Sequence, residues 1–177
     1  MFDSDNYQVR EKSFSDGDQH KIYENGELFL YSKIDDSEIR EDLVFVDKED
    51  ERKLTVTTNP ELDVPASYSI IDEEEDEVIG GLRREWGLVL HQWKLIDQDN
   101  QVVGTIKEDL LPLSLTRRYI TTLLPFKYDV VSIEGEKLAD IDGKFMFRDF
   151  YNIKLCGDVD PRLLVPATIV MDSIEKK

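Results

Sequence analysis

Short apolar segments separated by turn-forming residues run along most of the chain, and this pattern restricts the possible folds. From Lys21 onward the segments are roughly 5–8 residues long and rich in Val, Ile, Tyr, Phe and Thr, which favour β-strands. Turn formers such as Asn25-Gly26, Asn59-Pro60 and Asp142-Gly143 stand between them. Such a pattern predicts an all-β, antiparallel sandwich or barrel. The linkers are too short for the crossover helices of a doubly wound α/β sheet.

A strand–turn–strand unit recurs along the chain. An aromatic residue opens most copies, and an Asp often closes the first strand, where its side chain can accept hydrogen bonds from turn N–H groups. Repeated hairpins predict a meander that curls and closes, because closure removes exposed strand edges. The copies are residues 68–72 with 78–80, 93–97 with 102–104 and, more loosely, 128–132 with 137–140, after a degenerate first copy at 21–29.

The C-terminal segment has a different character. Asp160 as N-cap and Pro161 as first helical residue predict a helix over about residues 161–175. Residues 163–171 contain one polar side chain, and a helix that is apolar on all sides must be buried on all sides. Its length of about 22 Å matches the height of a small barrel, so we place it inside the barrel. Pro166 leaves two alternatives, a helix that starts nearer Leu163 or one kinked at the proline.

Length and composition limit the domain organisation and the partners. We interpret the 177 residues as a flexible N-terminal arm (1–12) followed by one barrel domain (13–177). The net charge of −17 argues against nucleic acid as a partner. The single cysteine, Cys156, excludes an internal disulfide and a zinc site built from cysteines. The sequence has no signal-peptide core and no transmembrane run of about 18 apolar residues, so we expect a cytoplasmic protein.

The motifs of catalytic, cofactor and metal sites do not occur in the sequence. No phosphate-binding glycine loop, HExxH or GxSxG is found, and His20 and His91 lie far apart. The acidic run 72–77 and the pairs Asp97-x-Asp99 and Asp140-x-Asp142 begin calcium-loop patterns without completing one. We therefore predict no enzyme activity, no cofactor and no metal site.

The segments that carry a resemblance to a known family are spread along almost the whole chain, at residues 21–23, 68–72, 78–80, 83–84, 93–97, 102–104, 148–151 and 160–164 through Asp172. On these segments the chain resembles the tubby C-terminal-like superfamily, and within it the LURP-one-related group, which is close to the phospholipid scramblases. The resemblance implies a closed barrel of about twelve strands around a buried C-terminal helix, with no shared catalytic residues. Tubby domains bind phosphoinositides through basic residues, and scramblase relatives are linked to calcium and membranes.

Two functional hypotheses follow. The first is a non-enzymatic module, peripheral at a membrane, that recognises a phospholipid headgroup or similar anion. Its candidate ligand-binding residues would face one surface if the hairpins stack side by side. Paired arginines suit the geometry of a phosphate group. The alternative is an intracellular scaffold that binds a protein partner through its acidic surface, with the basic residues scattered and paired. The candidate ligand-binding residues are Arg83, Arg84, Arg117, Arg118 and Lys127.

Overall fold

The computed structural model describes residues 2–12, 19–35, 42–58, 67–85, 92–108, 127–144 and 150–175. These ranges contain twelve antiparallel strands and a C-terminal helix, α1, of residues Pro161–Glu175. The strands are β1 (Asn6–Lys12), β2 (Gln19–Glu24), β3 (Glu27–Asp35), β4 (Asp42–Val46), β5 (Arg52–Thr58), β6 (Ser67–Asp72), β7 (Glu77–Glu85), β8 (Gln92–Asp97), β9 (Val102–Glu108), β10 (Lys127–Val131), β11 (Lys137–Lys144) and β12 (Phe150–Leu155).

Each strand pairs with its neighbour in the sequence, and β1 pairs with β12 to close the barrel. The predicted antiparallel barrel around a buried helix is confirmed. All four predicted copies of the repeat are hairpins, namely β2–β3, β6–β7, β8–β9 and β10–β11.

The expected flexible arm over residues 1–12 is wrong from Asn6 onward. Residues 6–12 form β1, which pairs with β2 on one side and with β12 on the other. The inward side chains of Tyr7 and Val9 are almost fully buried. The segment is an ordered strand because these two side chains are buried and both of its edges are paired, although its outward residues are polar.

Five short hairpin connections lie at one end of the barrel, here called the turn end. They join β2–β3, β4–β5, β6–β7, β8–β9 and β10–β11, and each hairpin has a register shift next to its turn. Such shifts increase strand twist, which helps a sheet to curl and close. The β12–α1 connection is at this end too, so α1 begins at the turn end and runs towards the opposite end.

The aspartates at the end of the first strand of two hairpins accept hydrogen bonds from turn N–H groups, as predicted. Asp97 Oδ1 accepts hydrogen bonds from the N–H groups of Asp99 and Gln101, both at 2.9 Å. Asp72 Oδ1 accepts one from the N–H of Glu74 at 2.9 Å. These bonds satisfy turn N–H groups and stabilise the hairpins at their tips.

The helix begins where the sequence predicts. Asp160 is the N-cap, with Oδ1 accepting the N–H of Arg162 at 2.8 Å. Pro166 lies inside the helix, so the alternative of a start nearer Leu163 is wrong. Residues 163–172 are all buried, and α1 packs most closely against β6, β7 and β8.

Arg162 fixes the start of α1 to the β6–β7 hairpin. Its guanidinium Nη1 donates to Asp72 Oδ2 at 2.8 Å and to Glu75 Oε2 at 3.0 Å. Asp72 is buried, so the ion pair also compensates a carboxylate removed from water.

In the described ranges, no helix combines the length and apolar character that crossing a membrane requires.

Candidate functional site

Arg83 and Arg84 of the predicted anion site point to opposite faces of the sheet. Arg84 pairs with the buried Trp93 on the inner face, and its Cζ lies 5.4 Å from the Trp93 ring centroid. Arg83 pairs with Lys94 and lies on the outer face, because successive residues of a strand alternate. The structure therefore does not bring these two arginines to one surface.

The remaining predicted basic residues do not complete an anion site within the described residues. Lys127 Nζ lies 2.9 Å from Asp142 Oδ1 in an exposed ion pair. Arg117 and Arg118 lie outside the described residues. The expected convergence of all five residues is thus wrong for Arg83 and Arg84, and it stays a prediction for Arg117 and Arg118.

A groove with a cavity volume of about 540 Å³ lies at the turn end, between the β2–β3 and β4–β5 hairpins. We call it the acidic groove. Its lining has five carboxylates, two lysines and an apolar part formed by Leu28, Phe29 and Leu30, so its net formal charge is −3. The charged lining residues are Glu24, Glu27, Asp47, Glu49, Glu74, Lys48 and Lys53.

One wall of the groove is held by the N-terminal segment. Glu24 Oε1 accepts hydrogen bonds from the N–H groups of Asp3 at 2.9 Å and Ser4 at 3.1 Å. The Phe2 ring packs edge-on against Phe29 with centroids 4.9 Å apart. Residues 2–4 therefore contact two residues of the groove lining, Glu24 and Phe29.

The opposite wall is held by Lys53. Its Nζ lies 2.8 Å from Glu74, 3.2 Å from Glu51 and 3.4 Å from Asp47. The hydrogen bond to Glu74 and that to Glu51 raise the pKa of Lys53 above its usual range. The positive charge of Lys53 is thus neutralised by carboxylates of the wall, whereas Glu27 and Glu49 are exposed at the rim.

The wall carboxylate Asp47 is fixed as an anion. Its Oδ1 accepts the N–H groups of Glu51 at 2.9 Å and Glu49 at 3.0 Å. The bond from Glu51 lowers the pKa of Asp47, with the nearby Lys53 acting in the same direction. The groove therefore presents fixed negative charge around an apolar floor at neutral pH, a combination that suits a ligand with both cationic and apolar groups.

A second cluster of ionisable side chains lies inside the barrel towards its opposite end. Glu11 of β1, His20 of β2 and Asp172 of α1 each offer a ligand atom within 4.8 Å of the other two. Among the described residues, these three are the group of His, Cys, Asp or Glu side chains that lie close enough together to hold one metal ion. The expected flexible arm contains Glu11, so the sequence does not predict this cluster. The alternation of apolar Tyr7 and Val9 with polar neighbours is the sequence signal for β1.

No protein-family model and no curated protein sequence matches the chain. Among solved structures, the chain is similar to a protein from Arabidopsis thaliana determined by X-ray crystallography. The TM-score is 0.60 at 12% sequence identity, and the match covers 96% of this chain and 91% of the other. This likeness shows that the two chains share the fold.

Proposed function

We propose that the chain is a non-enzymatic binding module whose acidic groove takes a basic segment of a partner protein. The observation that carries the proposal is the arrangement of five carboxylates around Leu28 and Phe29 in a groove open to solvent. Lysine and arginine side chains combine a cationic end with an apolar stem, so they can contact the rim and the floor together.

The charge of the whole chain supports the same partner. A net charge of −17 attracts basic partners over long distances and raises their association rate. Long-range attraction does not by itself select a site, because the acidic residues are spread along the chain. The apolar floor and the fixed walls supply the local selectivity.

The test is binding of a labelled lysine- and leucine-rich peptide, measured by fluorescence anisotropy at two salt concentrations. We expect saturable binding that weakens as salt rises. The double variant Glu27→Gln/Glu49→Gln removes two rim charges and is expected to weaken binding about 3- to 10-fold, at the scale of two exposed charge contacts.

The matched control is Glu134→Gln/Glu136→Gln at the tip of the β10–β11 hairpin. It removes the same charge at the same end of the barrel, and both residues are exposed. Equal weakening in the two double variants means diffuse attraction and overturns the groove as the site. No binding of the basic peptide at low salt overturns the proposed function itself.

Recognition of phosphorylated lipids is the competing proposal, and its support is the resemblance to tubby domains. It now depends on Arg117 and Arg118, since Arg83 and Arg84 diverge and Lys127 is paired with Asp142. Each cation near a membrane surface supplies about 1 kcal/mol, so the two arginines supply roughly 2 kcal/mol, and co-sedimentation with phosphoinositide liposomes should be weak and salt-sensitive. It should disappear in Arg117→Glu/Arg118→Glu without a change in melting temperature.

A further inference from the structure

Three side chains of metal-ligand type converge inside the barrel from elements far apart in the sequence. Glu11 and His20 are Cα partners in the β1–β2 pair, so they lie side by side on one face of the sheet. This is the inner face, because Val9 and Ile22, two residues away on each strand, are fully buried. Asp172, near the end of α1, completes the group, with all three ligand atoms within 4.8 Å of one another.

Burial distinguishes this cluster from the acidic residues on the surface. His20 is 2% exposed and Asp172 is 7% exposed, whereas Glu11 is half-buried. Two carboxylates held this close together inside a protein repel each other and lose hydration. A bound cation offsets both effects.

The imidazole ring is held in place by a neighbouring strand. His20 Nδ1 lies 3.3 Å from Ser32 Oγ, and the same oxygen accepts the backbone N–H of His20 at 2.9 Å. Ser32 of β3 is itself fully buried. A hydrogen bond at one ring nitrogen commonly orients a metal-binding histidine so that the other nitrogen, here Nε2, acts as the ligand.

We propose that Glu11, His20 and Asp172 form a binding site for one divalent transition-metal ion of the Zn²⁺ class. An imidazole with two carboxylates suits such ions, whereas Ca²⁺ and Mg²⁺ take oxygen ligands. Three protein ligands leave a further coordination position to water. A tetrahedral ion with bonds of about 2.1 Å requires ligand atoms about 3.4 Å apart, so binding draws the three side chains together.

The site connects the end of the central helix to the first hairpin of the barrel. An ion that binds the folded chain in preference to the unfolded one raises the melting temperature. At a free concentration about a hundredfold above the dissociation constant, the expected rise is about 5–10 °C for a chain of this size.

The test is titration of the full chain with Zn²⁺ by calorimetry, together with melting curves at rising Zn²⁺. We expect one ion per chain and the rise in melting temperature. Both are expected to be lost in Glu11→Gln and in Asp172→Asn, and both should persist in the control Glu136→Gln, which removes an exposed carboxylate from a distant hairpin tip.

The exposed thiol of Cys156 is the main competing zinc ligand, so all titrations use Cys156→Ser as the parent. Co²⁺ bound to the parent should show visible absorption that is lost in Glu11→Gln.

Three results overturn the proposal: no saturable binding of one Zn²⁺ per chain, unchanged binding in a folded Glu11→Gln or Asp172→Asn variant, or tighter binding of Ca²⁺ than of Zn²⁺. If Asp172→Asn fails to fold by circular dichroism, Glu11→Gln decides the question, because Glu11 is the least buried ligand. The peptide assay for the acidic groove is independent of each result.

Discussion

Three hairpin turns at the turn end use a single side chain in the same way. Asp47 Oδ1, Asp97 Oδ1 and Ser132 Oγ each accept two N–H groups from the residues two and four positions later. In each turn the residue three positions later, Asp50, Asn100 or Gly135, has a positive φ. A short polar residue thus closes the turn where the chain reverses.

Removal of one such acceptor should destabilise the barrel measurably. Asp97→Ala leaves two turn N–H groups without their acceptor, and we expect the free energy of unfolding to fall by about 1–2 kcal/mol. The control Asp99→Ala removes an exposed carboxylate from the same turn and should change it by less than about 0.5 kcal/mol. Urea denaturation of both variants at neutral pH measures the difference. Equal losses of unfolding free energy would show that the Asp97 hydrogen bonds add no stability beyond that of an exposed carboxylate.

The same contacts predict how stability depends on pH. Backbone N–H donation from Glu51 lowers the folded-state pKa of Asp47. A lowered pKa gives stability that is fully present above the unfolded value of about 3.9 and is lost as pH falls through the folded value. Urea midpoints should therefore drop below about pH 4, and drop less steeply in Asp47→Asn, which keeps an oxygen acceptor but has no charge to titrate. Parallel pH profiles for the two chains would contradict this assignment.

At the scale of elements, α1 is the core around which the strands close. Its residues 163–172 are buried on all sides, and Arg162 fixes its start to β6–β7. A tight approach occurs at Gly80, where a Cβ would lie 2.3 Å from the carbonyl oxygen of Ile96 and 3.1 Å from Leu163 Cδ1. The glycine of the repeated sequence pattern therefore lets the helix and β8 come close to β7.

A chain that ends at Asp160 should not fold. It lacks Leu163, Leu164, Val165, Ile169, Val170 and Met171, all buried in the core. At about 1.5–3 kcal/mol each the loss is roughly 9–18 kcal/mol, as large as the whole stability of a typical domain. We expect an unfolded or aggregated product by size-exclusion chromatography, and a folded one for a chain that ends at Glu175. A monomeric product ending at Asp160 that melts cooperatively would show that the barrel does not depend on the helix.

Several elements could be predicted because their signals are local. The Asp160-Pro161 start and the apolar run that follows predict α1, and the hairpin repeat predicts the meander. The strand β1 has a weaker signal, because its outward residues Gln8 and Arg10 are polar and only alternate positions are apolar. The divergence of Arg83 and Arg84 follows from side-chain alternation once β7 is known to extend to Glu85, beyond the last apolar residue of its segment, Leu82.

The two candidate sites could not be predicted for a related reason. The acidic groove combines residues of three hairpins, β2–β3, β4–β5 and β6–β7, and the Glu11–His20–Asp172 cluster combines β1, β2 and α1. Each site depends on which residues the closed barrel places next to each other. That placement follows from register and closure, and neither is a property of a single segment.

At the scale of the whole molecule, β1 decides whether the barrel is closed. It pairs with β2 and with β12, and without it both strands would expose an unpaired edge, a template for aggregation. Closure also brings the N-terminal segment to the acidic groove and Glu11 to the interior cluster. The interior cluster therefore depends on β1 directly, through Glu11, and the acidic groove depends on it through residues 2–4, which contact Glu24 and Phe29.

A pair of neighbouring substitutions tests this role of β1. Val9 has no exposed surface and lies opposite Ile22 and Tyr151. Val9→Asp places a carboxylate in the core and should lower the free energy of unfolding by more than about 3 kcal/mol. Gln8→Asp, one residue earlier on the outer face, makes the same charge change and should cost less than about 1 kcal/mol. Thermal melts followed by circular dichroism compare the two. A flexible arm would tolerate both substitutions equally, because its side chains have no fixed faces. Equal melting temperatures of the two variants would therefore show that residues 6–12 are not a strand of the barrel.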